Sequence, residues 1–230
     1  MENYSYIKNN YLSLCEELES IALRCGCKIP TLVSVTKSGS DEELLALAAA
    51  GARDIGENRP QEVKRRAEIL KNAGFNVNMH EIGTLQRNKV KMIINDVSLI
   101  HSVDSLKLAL DINRLAEIHN RCVPVLIEIN SAKEENKSGV MPDDAEALLN
   151  ELMSLQSIIP VGLMTMGPVC ENPEEIRPYF RLTKKLFDRL SDSYGLGDAP
   201  ILSMGMSDSY KVAIEEGSTL VRVGRKLFRK

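Results

Sequence analysis

TLVSVTK, Thr31 to Lys37, is a short run of apolar and β-branched residues that ends on a lysine. It reads as a buried strand opening into a loop. Working outward, seven more runs of this kind follow: Asp54 to Glu57, Met79 to Ile82, Leu99 to Val103, Val123 to Asn130, Val161 to Met166, Ile201 to Ser203, and Leu220 to Val223. Longer segments of helical periodicity separate them, for example DEELLALAAAG, with Asp41 near its start and Gly51 at its end. Alternation of strand and helix predicts a parallel sheet. Eight repeats favour a closed (β/α)8 TIM barrel, although the count alone leaves an open doubly wound sheet possible. A helical stretch from about Tyr4 to Cys25 is expected as an extra N-terminal helix.

With 230 residues, 43% of them hydrophobic, the chain can bury one substantial core, and a single domain over residues 1–230 is the expectation. The 29 basic and 32 acidic residues leave a net charge of −3, which offers no overall positive field for a nucleic-acid backbone. The opening MENYSYIKNN lacks the basic and apolar regions of a signal peptide, and no apolar stretch approaches a membrane span. A cytoplasmic protein with neither nucleic-acid nor membrane partner is expected. Cys15, Cys25, Cys27, Cys122 and Cys170 are odd in number and scattered, which fits reduced thiols. Cys25 and Cys27 have no second ligand pair at metal spacing, so no metal is expected.

Several residues could carry chemistry at the C-terminal ends of the strands, where barrel sites are built. Lys37 ends the first strand, and a lysine there can form a Schiff base once its amine is neutral. An ordinary lysine pKa of about 10.4 would then have to fall through desolvation or neighbouring positive charge. A solvated strand-end lysine is the plain alternative. In LSMGMSDSYKVAIEEG, the turn from Ser203 to Ser207 offers backbone N–H groups and hydroxyls before a helix, a setting that suits a phosphate. An N-cap by Ser207 or Asp208 is the alternative. In TLVRVGRKLF, Gly224 allows close backbone approach to a ligand. Alternation there sets Arg222 on the face opposite Val221 and Val223. If that face is the barrel interior, Arg222 needs a partner, either a ligand or a carboxylate such as Glu57 or Glu128. Asn58 could hydrogen-bond a ring hydroxyl or serve only as a turn residue. Gly83 precedes a helix carrying Gln86, Arg87, Asn88 and Lys89, and SAKEENKSG, from Ser131 to Gly139, forms a polar loop after the fifth strand.

Together these strings resemble the pyridoxal phosphate homeostasis protein family, whose barrel is similar to the N-terminal domain of alanine racemase. The residues that carry the likeness are VSVTK ending at Lys37, GEN at Gly56 to Asn58 with Gln61 and Glu62, and HEIGTLQRNK from His80. HSVDSLKLA from His101, IEIN and ENKSG between Ile127 and Gly139, GLMTM from Gly162, LSMGMSDSY from Leu202 and GSTLVRVG from Gly217 extend it. The resemblance implies pyridoxal 5′-phosphate held by Lys37 as an internal aldimine. It sets Asn58 near the ring, Ser207, Gly224 and Arg225 near the phosphate, and Arg222 against the cofactor. Ser203 and Met206, from the same turn as Ser207, complete the candidate binding set. Arg59-Pro60 stands where the family usually has Tyr-Val, Thr84 where a His is frequent, and Arg225 where small residues are common.

The function so implied is maintenance of vitamin B6 vitamers by a carrier, without catalysis. Arg222 facing the pyridine nitrogen would keep it unprotonated and weaken the electron sink of amino-acid chemistry. Racemases of this barrel type, the resemblance implies, also need a β-rich domain and a partner's tyrosine, which this sequence is not expected to supply. An amino-acid racemase is the alternative, and a Schiff-base aldolase barrel a third reading. The expected partners are the cofactor and pyridoxal-phosphate-dependent apoenzymes, with a monomer as the expected state and a weak dimer as the variant.

Overall fold

The computed structural model describes residues 4–134 and 136–230. Its strands are β1 (Thr31–Val35), β2 (Asp54–Glu57), β3 (Asn78–Glu81), β4 (Val97–Val103), β5 (Val123–Glu128), β6 (Ile158–Met164), β7 (Ile201–Ser203) and β8 (Leu220–Val223). Each pairs in parallel with the next, and β8 pairs back onto β1 to close the barrel. The open-sheet alternative is thereby removed. Three strands have the bounds expected from sequence, and the others differ by a few residues at their ends. β6 starts three residues before its expected first residue because Pro160, a poor strand residue, hides its beginning. Its register with β5 shifts between Val125, which pairs with Pro160, and Leu126.

Alternation along the strands sorts side chains into two layers. Val33, Leu99, Leu126, Met164 and Leu220 pack together as a small cluster inside the barrel. Their outward neighbours, including Ile55, Ile100, Val125, Leu163, Val221 and Val223, form the larger core beneath the helices.

Helices α2 (Asp41–Ala49), α3 (Pro60–Asn72), α4 (Val90–Ile93), α5 (Leu106–Ile118), α6 (Ala145–Met153), α7 (Arg177–Tyr194) and α8 (Tyr210–Glu215) follow the first seven strands in turn. After β8 the described residues form a turn, with no helix. α1 (Ser5–Cys25) packs between α2 and α8 and takes that position. The N-terminal helix is thus the eighth member of the ring rather than an extra element. Its buried stripe, Ile7, Leu14, Leu18, Ile21 and Ala22, keeps helical spacing. Asn10 Nδ2 donates to the carbonyls of Leu227 and Arg229, and Glu17 pairs with Lys211 at 2.6 Å and Lys226 at 3.0 Å. Burial alone would raise the Glu17 carboxyl, but Lys211, Tyr210 and Lys226 hold it down to about 2.

Between the sheet and α3 lies a small buried polar group. Glu57 accepts from the Thr36 hydroxyl and sits 3.0 Å from Arg66 Nε, although that N–H is not aimed at it. Glu81 Oε1 accepts the Gly83 amide at 3.0 Å, while its Oε2 has no partner among the described residues. Among the described residues, no helix is long and apolar enough to cross a membrane. The five cysteines are free thiols.

Two tests follow from these contacts. A Cβ at Gly162, where φ is 153°, would meet the Ile201 carbonyl oxygen at 1.8 Å. Gly162→Ala is therefore expected to cost roughly 3 kcal/mol, a fall of about 6–12 °C in Tm. An unchanged melting curve would refute the close packing of β6 on β7. Glu81 carries the second test: burial, opposed by the Gly83 amide and reinforced by Glu57, pushes its carboxyl up to about 8. The folded chain then keeps a proton that the unfolded chain gives up near 4.5, so this group lowers stability as pH rises through that window. Glu81→Gln is expected to match the parent's Tm near about pH 5 and exceed it at about pH 8. A difference that does not grow with pH would contradict the assignment.

Candidate functional site at the barrel mouth

The β8–β1 pairing sets Val33 beside Arg222 and Ser34 beside Val223. Lys37, just beyond β1, and Gly224 and Arg225, just beyond β8, therefore share one rim. There a cavity of about 910 Å³ opens, lined among others by Lys37, Asn58, Glu128, Met206, Ser207, Arg222, Gly224 and Arg225. Seven of the eight residues expected from sequence thus meet in one space.

Ser203 is the exception. It is fully buried and lies outside the lining, where its Oγ accepts a hydrogen bond from Arg222. Arg222 is 3% exposed and faces the barrel interior, opposite Val221 and Val223, which pack in the outer core. The carboxylates considered as its partners do not pair with it. Glu57 points outward to Arg66, and Glu128 acts on Arg222 only through space. Arg222 donates instead to Ser203 Oγ and, at 3.1 Å, to the Thr165 carbonyl. Burial draws the guanidinium's pKa down to about 10, against the pull of Glu128, which leaves it charged at neutral pH. Burial, with Asp104 nearby, lifts the Glu128 carboxyl to about 7.

Lys37 is exposed and lines the cavity, so its amine is open to a ligand. Lys137, Arg222 and Arg225 line the same cavity. Gly224 lines the cavity and also has a packing role. A Cβ there would lie 2.9 Å from the Val35 carbonyl oxygen and 3.2 Å from Val35 Cβ, so its bare backbone lets β8 pack on β1. The Gly224 amide donates to Ser207 Oγ at 3.3 Å and ties together the loops after β7 and β8.

The phosphate setting is also altered. Ser209, not Ser207 or Asp208, stands at the start of α8, and its Oγ accepts the Met206 amide at 3.1 Å. α8 has only six residues, so the attraction for an anion rests on the loops. The amides of Ser207 and Arg225 have no acceptor among the described residues. Arg225 pairs with Asp208 across the same two loops, and both are exposed.

Of the departures from the family pattern, Arg59 is exposed and outside the lining, and Pro60 opens α3. Thr84 does line the cavity, with its hydroxyl 3.2 Å from that of Ser138 in the polar loop. Glu135 of that loop lies outside the described residues. Gln86, Arg87, Asn88 and Lys89 lie outside the lining, and Arg87 pairs with Asp111.

Sequence reasoning missed what lies below Arg222. His101 Nδ1 is 3.0 Å from Ser203 Oγ, His101 Nε2 is 2.9 Å from His80 Nδ1, and His80 Nε2 is 3.0 Å from Asp54 Oδ1. His80 and Asp54 came to notice only in strand-bearing strings. Their alternation onto the interior face was the one available signal.

The profile of the alanine racemase N-terminal domain matches residues 16–229. A pyridoxal phosphate homeostasis protein from Aquifex aeolicus is 40% identical over 226 residues, 94% of this chain and 98% of the relative. PipY from Synechococcus elongatus, solved with PLP bound, superposes with a TM-score of 0.84 at 30% identity, covering 97% of this chain and 100% of that one. An alanine racemase from Clostridium difficile shares the fold, with a TM-score of 0.73 at 19% identity and 56% of its own length covered. The chain belongs to the pyridoxal phosphate homeostasis protein family, built on the alanine racemase N-terminal domain.

Proposed function

We propose that this chain binds pyridoxal 5′-phosphate in the cavity at the barrel mouth and holds it without turning over a substrate. The observation that carries the reading is the meeting of three unlike groups in that cavity: the Lys37 amine, the buried Arg222 guanidinium, and the loops of Ser207 and Gly224. Each matches one part of the cofactor. Lys37 would hold the aldehyde carbon covalently, as a Schiff base. The loop amides of Ser207 and Arg225, unpaired within the described residues, suit the phosphate oxygens. Arg222 has no carboxylate ion pair among the described residues and lines the cavity, so its charge suits an acceptor such as the ring nitrogen. Asn58 offers a donor and an acceptor to the ring's hydroxyl.

When bound, the cofactor supplies an electron sink that depends on protonation of its ring nitrogen. Arg222 opposes that protonation, which supports a carrier rather than a catalyst. The homeostasis names of the relatives agree with this reading. We extend it to a cytoplasmic protein that supplies pyridoxal-phosphate-dependent apoenzymes, and the five free thiols suit that compartment.

Titration with pyridoxal phosphate, followed by visible absorbance, tests the reading. The parent chain is expected to develop a protein-bound band and Lys37→Ala to develop none. An alanine enantiomer assay accompanies it, with no turnover expected. Sustained racemisation abolished by Lys37→Ala would overturn the carrier reading, and equal bands in both proteins would overturn the site.

A further inference from the structure

An arginine buried against a ligand cavity is ordinarily held by a carboxylate, and Arg222 is not. Its nearest support leads away from the cavity through the barrel interior. Arg222 donates to Ser203 Oγ; Ser203 meets His101 at 3.0 Å; His101 meets His80 at 2.9 Å; and His80 meets Asp54 at 3.0 Å. Ser203, His101 and His80 are all at least 95% buried. Asp54 begins β2 at the opposite end of the barrel, with 23% of its side chain exposed, beside a second hollow of about 310 Å³.

The two ends fix the direction of every bond between them. A guanidinium can only donate, so Ser203 accepts from Arg222 and has its own proton free for His101 Nδ1. An ionised carboxylate can only accept, so His80 donates from Nε2 to Asp54. With both imidazoles neutral, His101 Nε2 donates to His80 Nδ1 and the chain closes without a conflict. Burial first, then His80 and Arg222, keep the imidazolium form of His101 disfavoured. Although burial opposes it, hydrogen bonds from His80 and Asn78 favour the ionised form of Asp54.

We propose that Asp54, His80, His101 and Ser203 are positioning residues that form a one-way hydrogen-bond relay, holding Arg222 at the cavity through a carboxylate at the far end of the barrel. The arrangement keeps a direct carboxylate partner off the cavity-facing guanidinium, where it would occupy the donors and repel an anionic ligand. The effect on ligand affinity rests on the cavity being the pyridoxal phosphate site. The relay itself does not.

Long-range ¹H–¹⁵N spectra of the ligand-free protein test it first, and the chain has only three histidines, of which His119 is exposed. His80 and His101 are both expected neutral, with the proton on Nε2. Ser203→Ala is then expected to release the His101 tautomer and weaken pyridoxal phosphate binding about tenfold, the value of one hydrogen bond to a charged group. Ser203→Thr, which keeps the hydroxyl, should restore most of it. Asp54→Ala, at the partly exposed end, interrupts the relay without opening the core and is expected to free the His80 tautomer. A cationic His80, or a proton on Nδ1 of either ring in the parent, overturns the relay. So does Ser203→Ala binding within about twofold of the parent with its tautomers unchanged. If the parent takes up no pyridoxal phosphate, the binding reading fails while the tautomer pattern still decides the relay.

Discussion

Everything at the barrel mouth depends on the pairing of β8 with β1. That ladder joins the last strand to the first and sets Val33 against Arg222, so the lysine beyond one strand and the loop beyond the other share a rim. Closure between distant segments carries a cost in chain entropy and makes the contact non-local. The structure supports it at two points. Gly224 carries no Cβ, which lets β8 lie close on Val35. α1 fills the ring position after β8 and is tied to the last turn through Asn10 and Glu17.

Closure also creates the main electrostatic demand of the fold, a guanidinium brought almost fully out of water. Burying such a charge without a partner is prohibitive, and the barrel meets the demand with hydroxyl, carbonyl and imidazole groups. The cavity therefore keeps several positive groups and donors against two carboxyls, Asp208, which pairs with Arg225, and Glu128, whose pKa is lifted to about 7. That balance suits an anionic phosphate and a ring nitrogen kept free of its proton. Under the proposed reading it is a poor setting for chemistry that needs that proton, and the same lysine serves as a hold on the cofactor.

Much of this was legible in the sequence because the signals were local. Period-two alternation in LVRV set Arg222 on the face opposite its valines, and the eight runs marked the eight strands. Strand-end position brought Lys37 and Asn58 to the rim. What stayed hidden depends on packing between distant segments. Pro160 masked the first half of β6, and nothing in α1 itself says that β8 lacks a helix within the described residues. Ser203 was assigned to the ligand because its turn is polar, yet alternation from β8 and β4 brings it under Arg222 and against His101. The relay joins residues from four strands, and no single string could display it.

The central proposal is that Lys37, just beyond β1, is the cofactor's point of attachment. Borohydride reduction of the protein loaded with pyridoxal phosphate, followed by mass mapping of its peptides, tests this most directly. One modified residue, Lys37, is the result the account requires. An unmodified Lys37, or label carried mainly by another lysine such as Lys137 at the cavity rim, would contradict it.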